Sequence, residues 1–132
     1  MKFLIQYSIT FLVFFGIDLV WLGVIAKDLY ANALSHLMAP TVNWLAAIIF
    51  YLIFVVGVLV FVILPALEHK DLGRLIWTAA LFGLISYSTY DLTNLATLRD
   101  WPIHITLIDL AWGSTLSVLV SVISYFILNR LS

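Results

Sequence analysis

Three acids stand inside stretches that are otherwise apolar: Asp18, Asp91 and Asp109. Placing an ionisable group in hydrocarbon costs on the order of a few kcal/mol or more, so such an acid marks a functional site unless packing accounts for it. The chemistry open to it is proton exchange, cation binding or a hydrogen bond between helices. Two of the acids carry an indole one helical turn later, in Asp18-Leu19-Val20-Trp21 and Asp109-Leu110-Ala111-Trp112. The third belongs to a polar run, Ser86-Tyr87-Ser88-Thr89-Tyr90-Asp91-Leu92-Thr93-Asn94. On a helix, Tyr87, Asp91 and Asn94 share one face by steps of three and four. The candidate ligand or proton site is therefore Asp18, Asp91, Asn94, Asp109, Trp21, Trp112 and Tyr87, and no lysine or arginine deep inside these stretches neutralises the acids, Arg74 standing at the far end of its own.

Other chemistries find little support. The chain has no cysteine, which removes disulfides and thiolate sites. His36, His69 and His104 are far apart and lack metal-ligand spacing, so no metal site is expected. No phosphate or cofactor motif is present, and no cofactor is implied. A net charge of −1 gives no reason to expect nucleic acid as a partner.

The elements that must carry these residues follow from composition. The 132 residues are 64% apolar and 10% charged, with a mean hydropathy of +1.16. A soluble domain is roughly half apolar and one-quarter charged, and one this small could not hide the excess. Lipid is the solvent that fits. A spanning helix needs about 20 apolar residues, and four stretches qualify: about 3–26, 43–65, 73–97 and 103–128. Polar breaks separate them at Lys27 to Pro40, Pro65 to Gly73 and Arg99 to Pro102. The expected fold is all-α, an integral membrane four-helix bundle in one domain of residues 1–132. The first stretch is too long for a signal-peptide core and contains Asp18, so it reads as a retained helix.

Orientation follows the basic residues near the ends. Lys2, Lys70, Arg74 and Arg130 lie on one side, against Lys27 and Arg99 on the other. Both termini are thus expected in the cytoplasm. Helix rise then places Asp18 about 22 Å and Asp109 about 21 Å above the cytoplasmic edge, with Asp91 a few ångströms higher. Three acids converge on the outer half. Trp44, Trp77 and Trp101 fall near stretch ends, where indoles commonly anchor at the headgroups. Opposite helix directions put Trp21 above Asp18 and Trp112 below Asp109. The second stretch has only Tyr51 as a polar side chain between Leu45 and Leu64, and reads as lipid-facing scaffold of little chemical consequence. Asn94 and the hydroxyls of the third stretch read as glue between helices, and Gly113, Ser117, Ser121 and Ser124 as a small-residue packing stripe.

The chain resembles a bacterial family of small four-helix inner-membrane proteins described only as a domain of unknown function. The resemblance rests on Asp18-Leu19-x-Trp21-Leu22-Gly23, on Tyr90-Asp91-Leu92-Thr93-Asn94-Leu95-Ala96-Thr97 with Trp101-Pro102, and on Asp109-Leu110-x-Trp112-Gly113. It implies a multi-pass protein of the bacterial inner membrane and no particular activity. The residues themselves support binding or transport of a proton, a cation or a small or lipidic molecule. A lipid-modifying enzyme is one alternative, using paired carboxyls as acid and base. An accessory subunit whose acids meet a partner's basic residue is another. The expected surroundings are the bilayer and, through the small-residue stripe, a second copy in a homodimer.

Overall fold

The computed structural model describes residues 2–131, so the first and last residues of the expected 1–132 domain lie outside the described residues. Among the described residues there is no strand. Helix α1, Lys2–Val20, runs on into a π-helical turn, Trp21–Ile25. A short helix α2, Lys27–Ala33, follows it. Helix α3, Trp44–Val58, continues through a second π-helical turn, Leu59–Ile63, into α4, Leu64–His69. Helix α5 covers Leu72–Thr97 and α6 covers Ile103–Leu131.

Among the described residues, three continuous rods are long and apolar enough to cross a membrane: Lys2–Ile25, Trp44–His69 and Ile103–Leu131. Helix α5 has 26 residues, about 39 Å at 1.5 Å per residue, but its polar run lowers its hydropathy. Its hydroxyls are satisfied locally. Ser86 donates to the Phe82 carbonyl at 2.8 Å, Thr89 to Ile85 at 2.7 Å and Thr97 to Thr93 at 2.7 Å. They cover their own backbone rather than gluing helices together, which corrects the sequence expectation.

The boundaries have local causes. The second rod does not stop at Pro65 as expected, because the π turn precedes it. Leu64 N–H bonds five residues back, to the Leu59 carbonyl, and the looser turn absorbs the missing proline donor. The rod ends instead at Lys70, which takes a left-handed φ of 54°. Asp71 then caps α5, its carboxylate accepting from Arg74 N–H at 3.0 Å. Asn43 caps α3 in the same way, accepting from Ala46 N–H at 3.2 Å.

Helix α6 packs most closely on α5 and also touches α1 and the second rod. Gly83 and Gly113 make the α5–α6 crossing, where a Cβ on Gly83 would strike the Gly113 carbonyl and the Ser117 hydroxyl. Gly113, Ser117, Ser121 and Ser124 are all buried within the chain. The stripe is therefore consumed internally and offers no face to a second copy. Below the crossing, Phe14, Val55, Val58, Leu59, Ile63, Leu75, Leu116 and Val120 form a dry core. Large apolar side chains such as Leu12, Val24, Ile53, Phe61 and Leu107 point outward, which suits a lipid environment rather than water.

Candidate functional site

The end of the bundle nearest α2 holds Asp18, Asp91 and Asp109. Asp18 and Asp109 are 6% and 8% exposed and line one open cleft of about 420 Å³ with Trp21, Tyr30, Tyr51, Tyr87, Tyr90, Trp101 and Trp112. No basic side chain lines it. Asp18 arrives from α1 and faces the Tyr51 hydroxyl and the Trp112 indole N–H. Asp109 sits six residues into α6, about 9 Å from its start. Asp91, on α5, is wholly buried behind it, in hydrogen-bonding reach of the Asp109 carboxyl. Neither Asp91 oxygen has a donor among the described residues.

The two tryptophans meet directly. The rings of Trp21 and Trp112 stack with centroids 4.3 Å apart and planes 11° from parallel. The stacked pair lines the same cleft as Asp18 and Asp109. The π turn begins at Trp21. Tyr87 packs its ring against Gly113, where any Cβ would strike the ring, and stands close to both Asp18 and Asp109. Asn94 lies outside the cleft wall, beside Tyr90. Of the seven expected residues, the cleft wall therefore includes Asp18, Trp21, Tyr87, Asp109 and Trp112, with Asp91 directly behind it.

Four aromatic contributions were not legible in the sequence. Tyr51 makes the second rod part of the site, so that rod is more than scaffold. Tyr90 adds another wall and meets Trp101 edge to face at 5.9 Å. Trp101 is no headgroup anchor; it is 8% exposed and donates from Nε1 to Thr106 Oγ1 at 2.9 Å. Trp44 and Trp77 are exposed, as anchors are. The fourth is Tyr30, in a segment that hydropathy reads only as a loop. Helix α2 folds it back over the cleft, where its hydroxyl donates to Asp109 and accepts from Trp21 Nε1 at 3.2 Å. A second tie holds this connection, His36 Nε2 to the Asp100 carbonyl at 3.0 Å.

The Tyr30 phenol is pushed above its ordinary range, first by burial and then by the Asp109 carboxyl beside it. A phenol held neutral by the fold contributes stability that is intact below about pH 10 and is lost as pH rises beyond it. Docking of α2 should therefore weaken at strongly alkaline pH. In Tyr30→Phe that alkaline loss should disappear, and amide exchange across Lys27–Ala33 should be faster at neutral pH because the bond to Asp109 is gone. Unchanged exchange in the variant would show that the tyrosine does not hold the segment.

A larger cleft, about 900 Å³, lies at the opposite end, where Lys2, Glu68 and Lys70 stand at its mouth. Its charges are mixed and exposed, and none of the three buried acids lines it. Neither a curated protein nor a solved structure shows a match to the chain. A family profile described as "Predicted membrane protein (DUF2177)" matches residues 3–126. With that match covering nearly the whole sequence, and three rods able to cross a bilayer, the chain belongs to this membrane-protein family, whose function is unknown.

Proposed function

We propose that the chain crosses the bacterial inner membrane four times, with both termini in the cytoplasm, and binds or transports a cation in its acidic cleft. Helix α5 serves as the fourth span; its length suffices, and its self-bonded hydroxyls lower the cost of its polar run. The excess of Lys2, Lys70, Arg74 and Arg130 at one end supports the orientation. On that orientation the cleft opens in the outer half of the bundle.

A single observation carries the functional reading: two nearly buried carboxyls line the cleft, a third abuts Asp109, and among the described residues no basic side chain lines the cleft. In a low-dielectric site such a cluster needs positive charge from outside, as protons or as a bound cation. The two compete for the same oxygens. Adding tetramethylammonium to the protein in lightly buffered nanodiscs should therefore release protons, and Asp18→Asn or Asp109→Asn should reduce the release at least roughly tenfold, as expected for a charged contact. No release from the unaltered protein, or undiminished release from both variants, rejects the reading.

A further inference from the structure

The cleft also opens sideways. The second rod packs its backbone most closely on α5 along the π turn Leu59–Ile63 and α4. Next to that turn, Phe54 bridges to Phe82 and Tyr87 with ring centroids 5.4 and 6.2 Å apart. Farther along α3 the helices part. A recess of about 280 Å³ runs between Phe50 on α3 and Ser86 and Tyr90 on α5 and reaches Asp109. Phe50 is six residues inside α3, about 9 Å from its end. Phe50 and Tyr90 are 46% and 58% exposed. The opening is thus in the flank of the bundle, where acyl chains would lie.

The walls specify the head of a ligand. Carboxyls from Asp18 and Asp109 stand among the rings of the stacked Trp21–Trp112 pair, Tyr51 and Tyr87. Aromatic faces attract organic ammonium groups strongly once water is excluded. A hard metal ion would want six or more oxygen ligands, and among the described residues no three acids or histidines gather closely enough to hold one. Asp91, fully buried with both oxygens unpartnered among the described residues, adds a third carboxyl behind the wall. The volume of about 420 Å³ falls in the usual range for a small-molecule site.

Building on the cation reading, we infer that the ligand is an amphiphilic ammonium: its head lies between Asp18 and Asp109, and its hydrocarbon tail leaves through the gap between α3 and α5. The test compares octyltrimethylammonium, tetramethylammonium and octanol in nanodiscs, read as saturable change in tryptophan emission in a Trp44→Phe, Trp77→Phe background. The octyl cation should bind roughly thirtyfold tighter than tetramethylammonium, the effect of burying two to three methylenes, and octanol should not saturate. Asp18→Asn should weaken both cations at least roughly tenfold. Ser86→Phe, which narrows the flank recess, should weaken the octyl cation by a similar factor and leave tetramethylammonium unchanged. Equal affinity for the two cations, both lost in Asp18→Asn, overturns the amphiphile and leaves the cation site standing. Affinities untouched by Asp18→Asn overturn both.

Discussion

Gly83→Ala is expected to destabilise the protein by about 3 kcal/mol, at the upper end for overpacking a core, whereas Gly16→Ala should be neutral or stabilising. At Gly83 the new Cβ would overlap the Gly113 carbonyl and approach the Ser117 hydroxyl. Backbone cannot rotate aside as a side chain can, so α5 and α6 must separate. That separation would also open the contact by which Ser114 Oγ donates to the Ala80 carbonyl at 2.9 Å. Around Gly16 a Cβ meets nothing within 4 Å, and there alanine gains about 0.5–1 kcal/mol from helix propensity. Gly57 lies between these cases, since its Cβ would meet only the far end of the Phe82 ring, at 2.7 Å. Unfolding midpoints in mixed micelles should rank Gly83→Ala lowest, Gly57→Ala next and Gly16→Ala highest. A Gly83→Ala protein as stable as the parent would show that the two helices do not cross at these glycines.

Gly113→Ala extends the argument to the site. Its Cβ would collide with the Tyr87 ring, so the small residue at the crossing also seats a cleft wall. Packing and function therefore share a residue here. The same sharing explains why the third hydrophobic stretch is the weakest by hydropathy. The polar run that makes α5 a poor apolar rod is the run that supplies Tyr87 and Asp91.

Much of this arrangement was legible in residue order, and the remainder fails for identifiable reasons. The long apolar stretches and their polar breaks announce the rods, and helix rise alone puts Asp18 and Asp109 at similar depth. Proline punctuation misleads at Pro65, because a π turn is a tertiary accommodation with no residue signature of its own. Tyr51 is one hydroxyl in a rod of hydrocarbon, and period alone does not say which way it turns. Tyr30 stands in a connection of ordinary loop composition, and only the fold of α2 brings it to Asp109, 79 residues away in sequence. Trp101 sits at a span end like an anchor, but the tight turn through Asp100, with φ of 60°, directs it inward to Thr106.

Asp91→Asn should raise stability while removing function. The Asp91 carboxyl is fully buried, close to another carboxyl, with no donor to either oxygen. Groups in that state are held against their own solvation, and the fold bears the cost. Asparagine keeps the shape, removes the charge and brings an amide N–H that can donate to Asp109 without a shared proton. A gain of about 1–2 kcal/mol is expected, the common size for relief of one unfavourable native feature. Cation affinity should fall over the same substitution, because a carboxyl able to give up its proton to an arriving cation is gone. Tyr30 should keep its bond to Asp109, so exchange protection across Lys27–Ala33 should not drop. The opposite stability result is equally informative. If Asp91→Asn lowers the unfolding midpoint, the acid pair is a structural clasp between α5 and α6, and the cation reading loses its third carboxyl. An acid retained where a neutral amide is more stable is there for what it binds.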